Sequence, residues 1–346
     1  MTSPSPIDWS ARADLAQDSL DHFYGAPEPQ FLTNWVPAAP GSNDTFNYWW
    51  LAHALDARLD AFERTSDPLR LEQALAIRSN LLARNEDSLF NDYFDDMLWF
   101  ALALHRLAAA TGDQTFHAEA VAVWEHTVAH GWNDIEGASL SWRTQQPYYK
   151  NAPANGPFII LSARLFVDTA DDKFLTYGKQ SFDWLTQTLV NPKDGFVEDG
   201  INRAEDHAID LQWRFTYNQG LYIGACVELA AATGDASLLD AAERTALTAV
   251  RELTTDGVFT QEGTDGDEGL FKGVYYRYLQ TLLAVRAVPA LSEFVQTSTD
   301  RLWASSPVDG WLFPGNDWNA APTVSMPYST MLSAIMATEV RARAER

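Results

Sequence analysis

The stretch LWFALALHRLAAATGDQTF, residues 98–116, decides the architecture. Its first part is apolar nearly all round, as in a helix buried on every side. Thr111-Gly112-Asp113 breaks the run, and a second helical pattern resumes behind it. Glycine suits the left-handed position just past a helix end, and aspartate caps the helix that follows. The same phrase recurs at Thr65-Ser66-Asp67, Thr169-Ala170-Asp171 and Thr233-Gly234-Asp235, each time between two helical stretches. Four helical hairpins are therefore predicted.

The first helices of these hairpins open near Asn47-Tyr48-Trp49-Trp50, Tyr93-Phe94-Asp95-Asp96, Asn151–Gly156 and Trp213–Gly220. They continue as runs rich in small apolar residues. The second helices, such as AEAVAVWEHTVAH at residues 118–130, are amphipathic and belong outside. Residues 269–282 and 326–340 add two further openings. Six inner helices, each paired with an outer one, predict an all-α (α/α)6 barrel. It forms one domain over residues 1–346, with an irregular start over about the first ten. The polar and aromatic openings of the inner helices mark a central cleft at that end. Long loops at 131–150, 191–212, 254–269 and 307–322 fall on the same end, and loops of this length are usually functional. Each carries an aromatic residue: Trp142, Phe196, Phe259 and Trp311.

Composition narrows the partners. With 47 acidic against 24 basic residues the net charge is −23, which excludes phosphate backbones and anionic lipid surfaces as binding partners. Thirteen Trp, 12 Tyr and 18 Phe suit a cleft that stacks on flat ligand faces. Residues 1–30 show neither a basic start nor an apolar run, so no secretory signal is expected, and no apolar run is long enough to span a bilayer. The single cysteine, Cys226, fits a reducing cytoplasm and excludes a cysteine-built zinc site.

The chemistry points to Asn91-Asp92-Tyr93-Phe94-Asp95-Asp96-Met97-Leu98-Trp99. One aspartate suffices to cap a helix; three carboxylates beside Trp99 and Phe100 bring repulsion and desolvation. A glycosidase uses two carboxyl groups, one as general acid and one as nucleophile or base. Asp92 and Asp96 share a helix face, and adjacent Asp95 and Asp96 can both line a cleft at the first turn; spacing alone does not choose. Adjacent acids favour the short separation of a retaining enzyme. Rival chemistries are weaker. An aspartate-rich diphosphate site would need an acid at Trp99, and no zinc-protease, serine-hydrolase or glycine-rich phosphate motif occurs. Epimerase chemistry would want paired histidines at the inner-helix starts. A non-catalytic glycan-binding protein is the remaining alternative. His53, on an inner helix, reads as a satisfied core histidine, and Asp265–Glu268 as a solvated acidic face.

The runs Asn47–Asp56 and Tyr93–Trp99 continue with Lys150-Asn151-Ala152-Pro153-Ala154-Asn155-Gly156, Trp213–Gly220 and Phe271-Lys272-Gly273. In that order, over roughly residues 43–340, the chain resembles glycoside hydrolase family 76. The resemblance implies an (α/α)6 fold and a retaining α-1,6-mannanase or manno-oligosaccharide hydrolase. It implies Asp95 as nucleophile and Asp96 as general acid/base, with no cofactor or metal. The chain departs from the family at Gly137–Trp142, where members often have a glycine-rich stretch, and at Pro153; both concern subsite shape.

Around this pair, Trp50, Trp142, Trp213 and Tyr217 are candidates to stack on pyranose faces. Asn151, Asn155, Asn218 and Gln219 are candidates to bond sugar hydroxyls, while capping explains Asn151 or Asn155 equally well. Asn47 and Tyr93 join the substrate-binding set at the inner-helix openings. Lys272 is expected to pair with a catalytic carboxylate or donate to a hydroxyl.

Overall fold

The computed structural model describes residues 8–322 and 324–345. Among them, twelve helices follow one another: α1 (Trp9–Tyr24), α2 (Tyr48–Thr65), α3 (Pro68–Arg84), α4 (Phe94–Thr111), α5 (Gln114–Gly131), α6 (Ala152–Thr169), α7 (Asp172–Thr188), α8 (Thr216–Thr233), α9 (Ser237–Leu253), α10 (Glu268–Val285), α11 (Pro289–Ser305) and α12 (Tyr328–Ala344). Of the stretch expected to be irregular, residues 1–7 lie outside the described residues. Trp9 and Ser10 already belong to α1, which Asp8 caps by accepting from the Ala11 amide.

The even-numbered helices form the inner ring. Each packs on the next, and α12 returns to α2, so the ring closes as the expected (α/α)6 barrel. The odd-numbered helices lie outside, with α1 against α12 and α11 joined to α10 through Tyr276 and Ser298 (2.6 Å).

The four repeated turns share one hydrogen-bond scheme. The threonine hydroxyl at each helix end donates to the carbonyl four residues back, with Thr65 on Ala61 (2.8 Å) and Thr111 on Leu107 (2.8 Å). Ser66, Gly112, Ala170 and Gly234 take the left-handed conformation. The aspartate then accepts the amide two residues on, as Asp113 does from Thr115 (2.9 Å). The phrase thus satisfies backbone groups on both sides of the turn.

Where two inner helices touch, side-chain volume is the limit. A Cβ on Gly220 of α8 would lie 2.6 Å from the Tyr275 Cα of α10. Backbone cannot yield as a flexible side chain can. Gly220→Ala is expected to cost about 2 kcal/mol through overpacking, read as a lower midpoint in urea unfolding. A midpoint equal to the wild type's would contradict this close approach.

The inner ring is not apolar throughout. Arg58, Asp60 and Arg64 of α2 and Glu339 of α12 are buried. They persist because they pair: Arg64 with Glu339 (2.6 Å), and Asp60 with Arg106 (2.9 Å) and Arg277 (2.8 Å). These guanidinium groups hold the Asp60 carboxyl down at about 2 against the burial that raises it. The pairs cluster toward the C-terminal halves of the inner helices, and the cleft lies at their N-terminal ends.

Candidate active site

The N-terminal ends of the inner helices and three of the four long loops enclose a cleft of about 670 Å3. Asp95 and Asp96, in the first turn of α4, both line it. Asp92 is exposed and accepts from Thr144 (3.1 Å), away from the lining, so the helix-face pairing of Asp92 with Asp96 does not form. None of the three serves as the N-cap of α4; that position is Tyr93, which has no side-chain capping bond.

The two adjacent acids sit in different surroundings. Asp95 accepts the indole N–H of Trp142 on Oδ2 (2.9 Å) and the Asp96 backbone N–H on Oδ1 (3.0 Å). Burial pushes its carboxyl up to about 7, and these donors restrain the rise. Asp96 is pushed up further, because burial is joined by the negative charges of Asp95 and Asp267. The direction is therefore that Asp95 releases its proton before Asp96 as pH rises. An ionised carboxylate beside a protonated one is what acid-assisted nucleophilic displacement needs.

The cleft also holds a polar cluster built on Asp199 and Arg203, which the sequence did not single out, together with the candidates Tyr217 and Asn218. Asp199, buried at 1% exposure, accepts from Tyr217 (2.8 Å), Asn218 (3.1 Å), Tyr149 (2.9 Å) and Arg203 (2.8 Å). Burial pushes its carboxyl up and the donors oppose that. Arg203 also bonds Asp210 (3.0 Å) and lies 3.7 Å over the Trp213 ring. Among the described residues that line the cleft, Arg203 is the sole cation.

Asp265, Asp267 and Glu268 also line the cleft; Asp265 and Asp267 are exposed, as expected of a solvated acidic face, but that face is a wall of the cleft. Oδ1 of Asp267 receives the indole N–H groups of Trp49 (3.1 Å) and Trp50 (2.8 Å). The length of the 254–269 loop was the signal that pointed here. Of the four loop aromatics, Trp142 alone lines the cleft. Phe196 and Phe259 pack in the core, and Trp311 stacks on His22 (4.3 Å).

The structure brings Asn47, Tyr93, Trp142, Asn151, Trp213 and Tyr217 together around the acids. Asn151 caps α6 through Oδ1 on the Ala154 amide (3.2 Å), so the capping and cleft-lining readings both hold. Tyr217 stacks on Phe271 (4.0 Å), which covers one of its faces.

The other candidates fall outside the lining. Gln219 bonds Val197 on both sides of its amide (2.9 and 2.7 Å) and fixes the loop before α8. Asn155 does the same for Leu140 (3.0 and 2.9 Å). Asn218 donates to Asp199 and thereby acts behind the lining. Trp50 is bound to Asp267 and edge-on to Tyr328 (5.1 Å).

Lys272 is buried and donates to the Asn316 carbonyl, with Glu262 as its main opposite charge and not Asp95 or Asp96. Glu262 in turn receives the Thr216 amide (2.5 Å) and hydroxyl (2.8 Å), capping α8 beside the cleft. His53 is buried as expected but not satisfied: neither ring nitrogen has a partner among the described residues. Its ring lies 4.7 Å from that of Trp99, and burial brings it down to about 3, so it is neutral.

The glycosyl hydrolase family 76 model matches residues 8–342. The Lin0763 protein of Listeria innocua superposes with a TM-score of 0.96 at 46% identity, covering 98% of each chain. The α-1,6-mannanase GH76A of Salegentibacter sp. superposes at 0.90 with 35% identity, covering 97% of this chain and 99% of that one. An inactive variant of that mannanase, with two consecutive aspartates replaced by asparagine, is solved in complex with α-1,6-mannotriose. A Schizosaccharomyces pombe protein, provisionally named a mannan endo-1,6-alpha-mannosidase, is 24% identical over 315 residues. The match covers 79% of this chain and 69% of the yeast protein.

Proposed function

Since the chain belongs to glycosyl hydrolase family 76, we propose that it cleaves α-1,6-mannosidic linkages in mannan or manno-oligosaccharides, with retention of configuration. The observation that carries this is the Asp95–Asp96 pair: two adjacent carboxyl groups line one cleft, and Asp95 alone accepts the Trp142 indole N–H and the Asp96 backbone N–H. That a related mannanase becomes inactive when two consecutive aspartates are replaced supports the same pair.

In this reading Asp95 attacks the anomeric carbon while Asp96 gives its proton to the departing glycosidic oxygen. A covalent ester between Asp95 and the sugar results. Asp96, now ionised, takes a proton from water, and the water oxygen displaces Asp95 from the anomeric carbon. Two inversions leave the configuration unchanged. The Trp142 indole fixes the Asp95 carboxylate in the orientation it needs, which is the positioning that makes an attack effectively unimolecular. The same proposal extends to location. Cys226 is buried in α8 without a disulfide, which supports a reducing cytoplasm where imported manno-oligosaccharides would be met.

Incubation with debranched α-1,6-mannan and with short α-1,6-manno-oligosaccharides tests the substrate. Proton NMR of the first product tests the stereochemistry. The α-anomer is expected to appear before mutarotation. Initial β-product would overturn retention, and a well-folded protein that cleaves neither substrate would overturn the substrate class.

A further inference from the structure

A second groove of about 530 Å3 adjoins the cleft. The two depressions share Asn47, Thr45, Asp265 and Asp267 in their linings, so they are continuous past these residues. Beyond that junction the groove is walled by Trp35, Asn34, Trp50 and Ser325.

Trp50, Ser42 and Ser325 spend polar atoms on the protein itself, but the groove keeps others available. Trp35 is half-buried, and its indole N–H has no partner among the described residues. Asn34 is 2% exposed; its side-chain amide N–H donates to the Thr45 carbonyl (2.9 Å), while no group among the described residues donates to its Oδ1. The Asn47 side chain makes no capping bond at the head of α2 and no hydrogen bond among the described residues. Both indoles on Asp267 use Oδ1, and Oδ2 has no hydrogen-bond partner among the described residues. An indole face, two amides and two carboxylates, with no Lys or Arg among the described lining residues, suit a neutral polyhydroxylated ring. The carboxylates repel phosphorylated or uronic acid sugars.

We propose that this groove is a second arm of the substrate site, which binds further neutral hexopyranosyl units of the same linear chain. The inference rests on the α-1,6-mannoside reading. It makes the site open past Asp267, so that a substrate longer than the cleft gains contacts by extending into the groove.

The test is kcat/KM on linear α-1,6-manno-oligosaccharides of increasing length, for wild type, Trp35→Ala and Ser325→Trp. Ser325 is half-buried, donates its hydroxyl to the Pro37 carbonyl (2.8 Å), and lines the groove and not the cleft, so a tryptophan there fills the arm away from Asp95 and Asp96. Wild type is expected to gain with length beyond the units that fill the cleft. Both variants are expected to lose about tenfold on the long chains, the order of one lost ring-stacking contact. That loss should appear in KM, with the shortest cleaved substrate turned over as by wild type. Equal losses on short and long chains would show a structural role and overturn the proposal, as would two variants that match wild type at every length. Long chains bearing side branches, run in parallel, separate the sources: if only branched chains respond to the variants, the groove holds a branch and the main-chain assignment falls. Should wild type cleave no linear chain of any length, the substrate reading fails and the groove assignment with it. If wild type cleaves them and the variants do not discriminate, the groove assignment fails alone.

Discussion

Asp95→Asn and Asp96→Asn are each expected to lower kcat/KM on α-1,6-linked mannosides by about a thousandfold or more, the scale of losing a nucleophile or a general acid. The two losses should differ in kind. Without Asp95 no covalent intermediate forms, whatever the leaving group. Without Asp96 a leaving group that departs unprotonated still reacts with Asp95, so an activated aryl mannoside should partly restore the first step. Wild type should show a bell-shaped pH profile with an optimum near or above neutrality. Activity needs Asp95 ionised and Asp96 protonated. The acid limb therefore follows Asp95 at about 7, and the alkaline limb follows Asp96, which lies higher.

Stability separates this loss from misfolding. Both carboxyl groups are raised in the folded state, so the unfolded chain releases those protons first as pH rises. Their contribution to stability is complete below the ordinary carboxylate range and declines as pH climbs toward the folded values. Asparagine removes that decline. Above neutrality either variant should melt at or above the wild-type temperature while being nearly inactive. An inactive variant that melts well below wild type would assign the aspartate to structure, and one that retains most activity would remove it from the mechanism.

Asp199→Ala is expected to carry the largest stability cost of any single change at the cleft, about 3–5 kcal/mol. Asp199 is buried and is the common acceptor for Tyr149, Tyr217, Asn218 and Arg203. Its removal leaves the Tyr217 hydroxyl and the Asn218 amide without their acceptor and weakens the hold on Tyr149 and Arg203, which keep Asp210 (3.1 and 3.0 Å). Asp210 still holds Arg203, so the loop should loosen rather than unfold completely. A urea midpoint within about 0.5 kcal/mol of wild type, the range of an ordinary surface change, would mean that the cluster is not structural. Asp199→Asn keeps the volume and one acceptor oxygen but turns an amide N–H toward donors, and should fall between the two.

The barrel and the catalytic candidates were legible because their signals are local. Each Thr-x-Asp turn closes its hydrogen bonds within a few residues, and burial on all faces shows in the composition of residues 98–110. Asp95 and Asp96 stand side by side in the chain, so their conflict with apolar neighbours is written in one phrase. Tertiary structure decided the rest. A polar residue at an inner-helix start reads the same whether its amide meets a ligand or a loop. Gln219, Asn155 and Lys272 therefore passed as candidates, while their partners Val197, Leu140 and Asn316 lie on loops that only folding brings near. The same reason hid Asp199, Arg203 and Asp267. Asp267 meets Trp50 across 217 positions of sequence, and no local pattern carries information over that distance. Sequence by itself determined six helical hairpin openings and an acidic pair at one of them. The closing of the ring decided which carboxylate keeps its proton, because burial and neighbouring charge exist only once distant loops have come together.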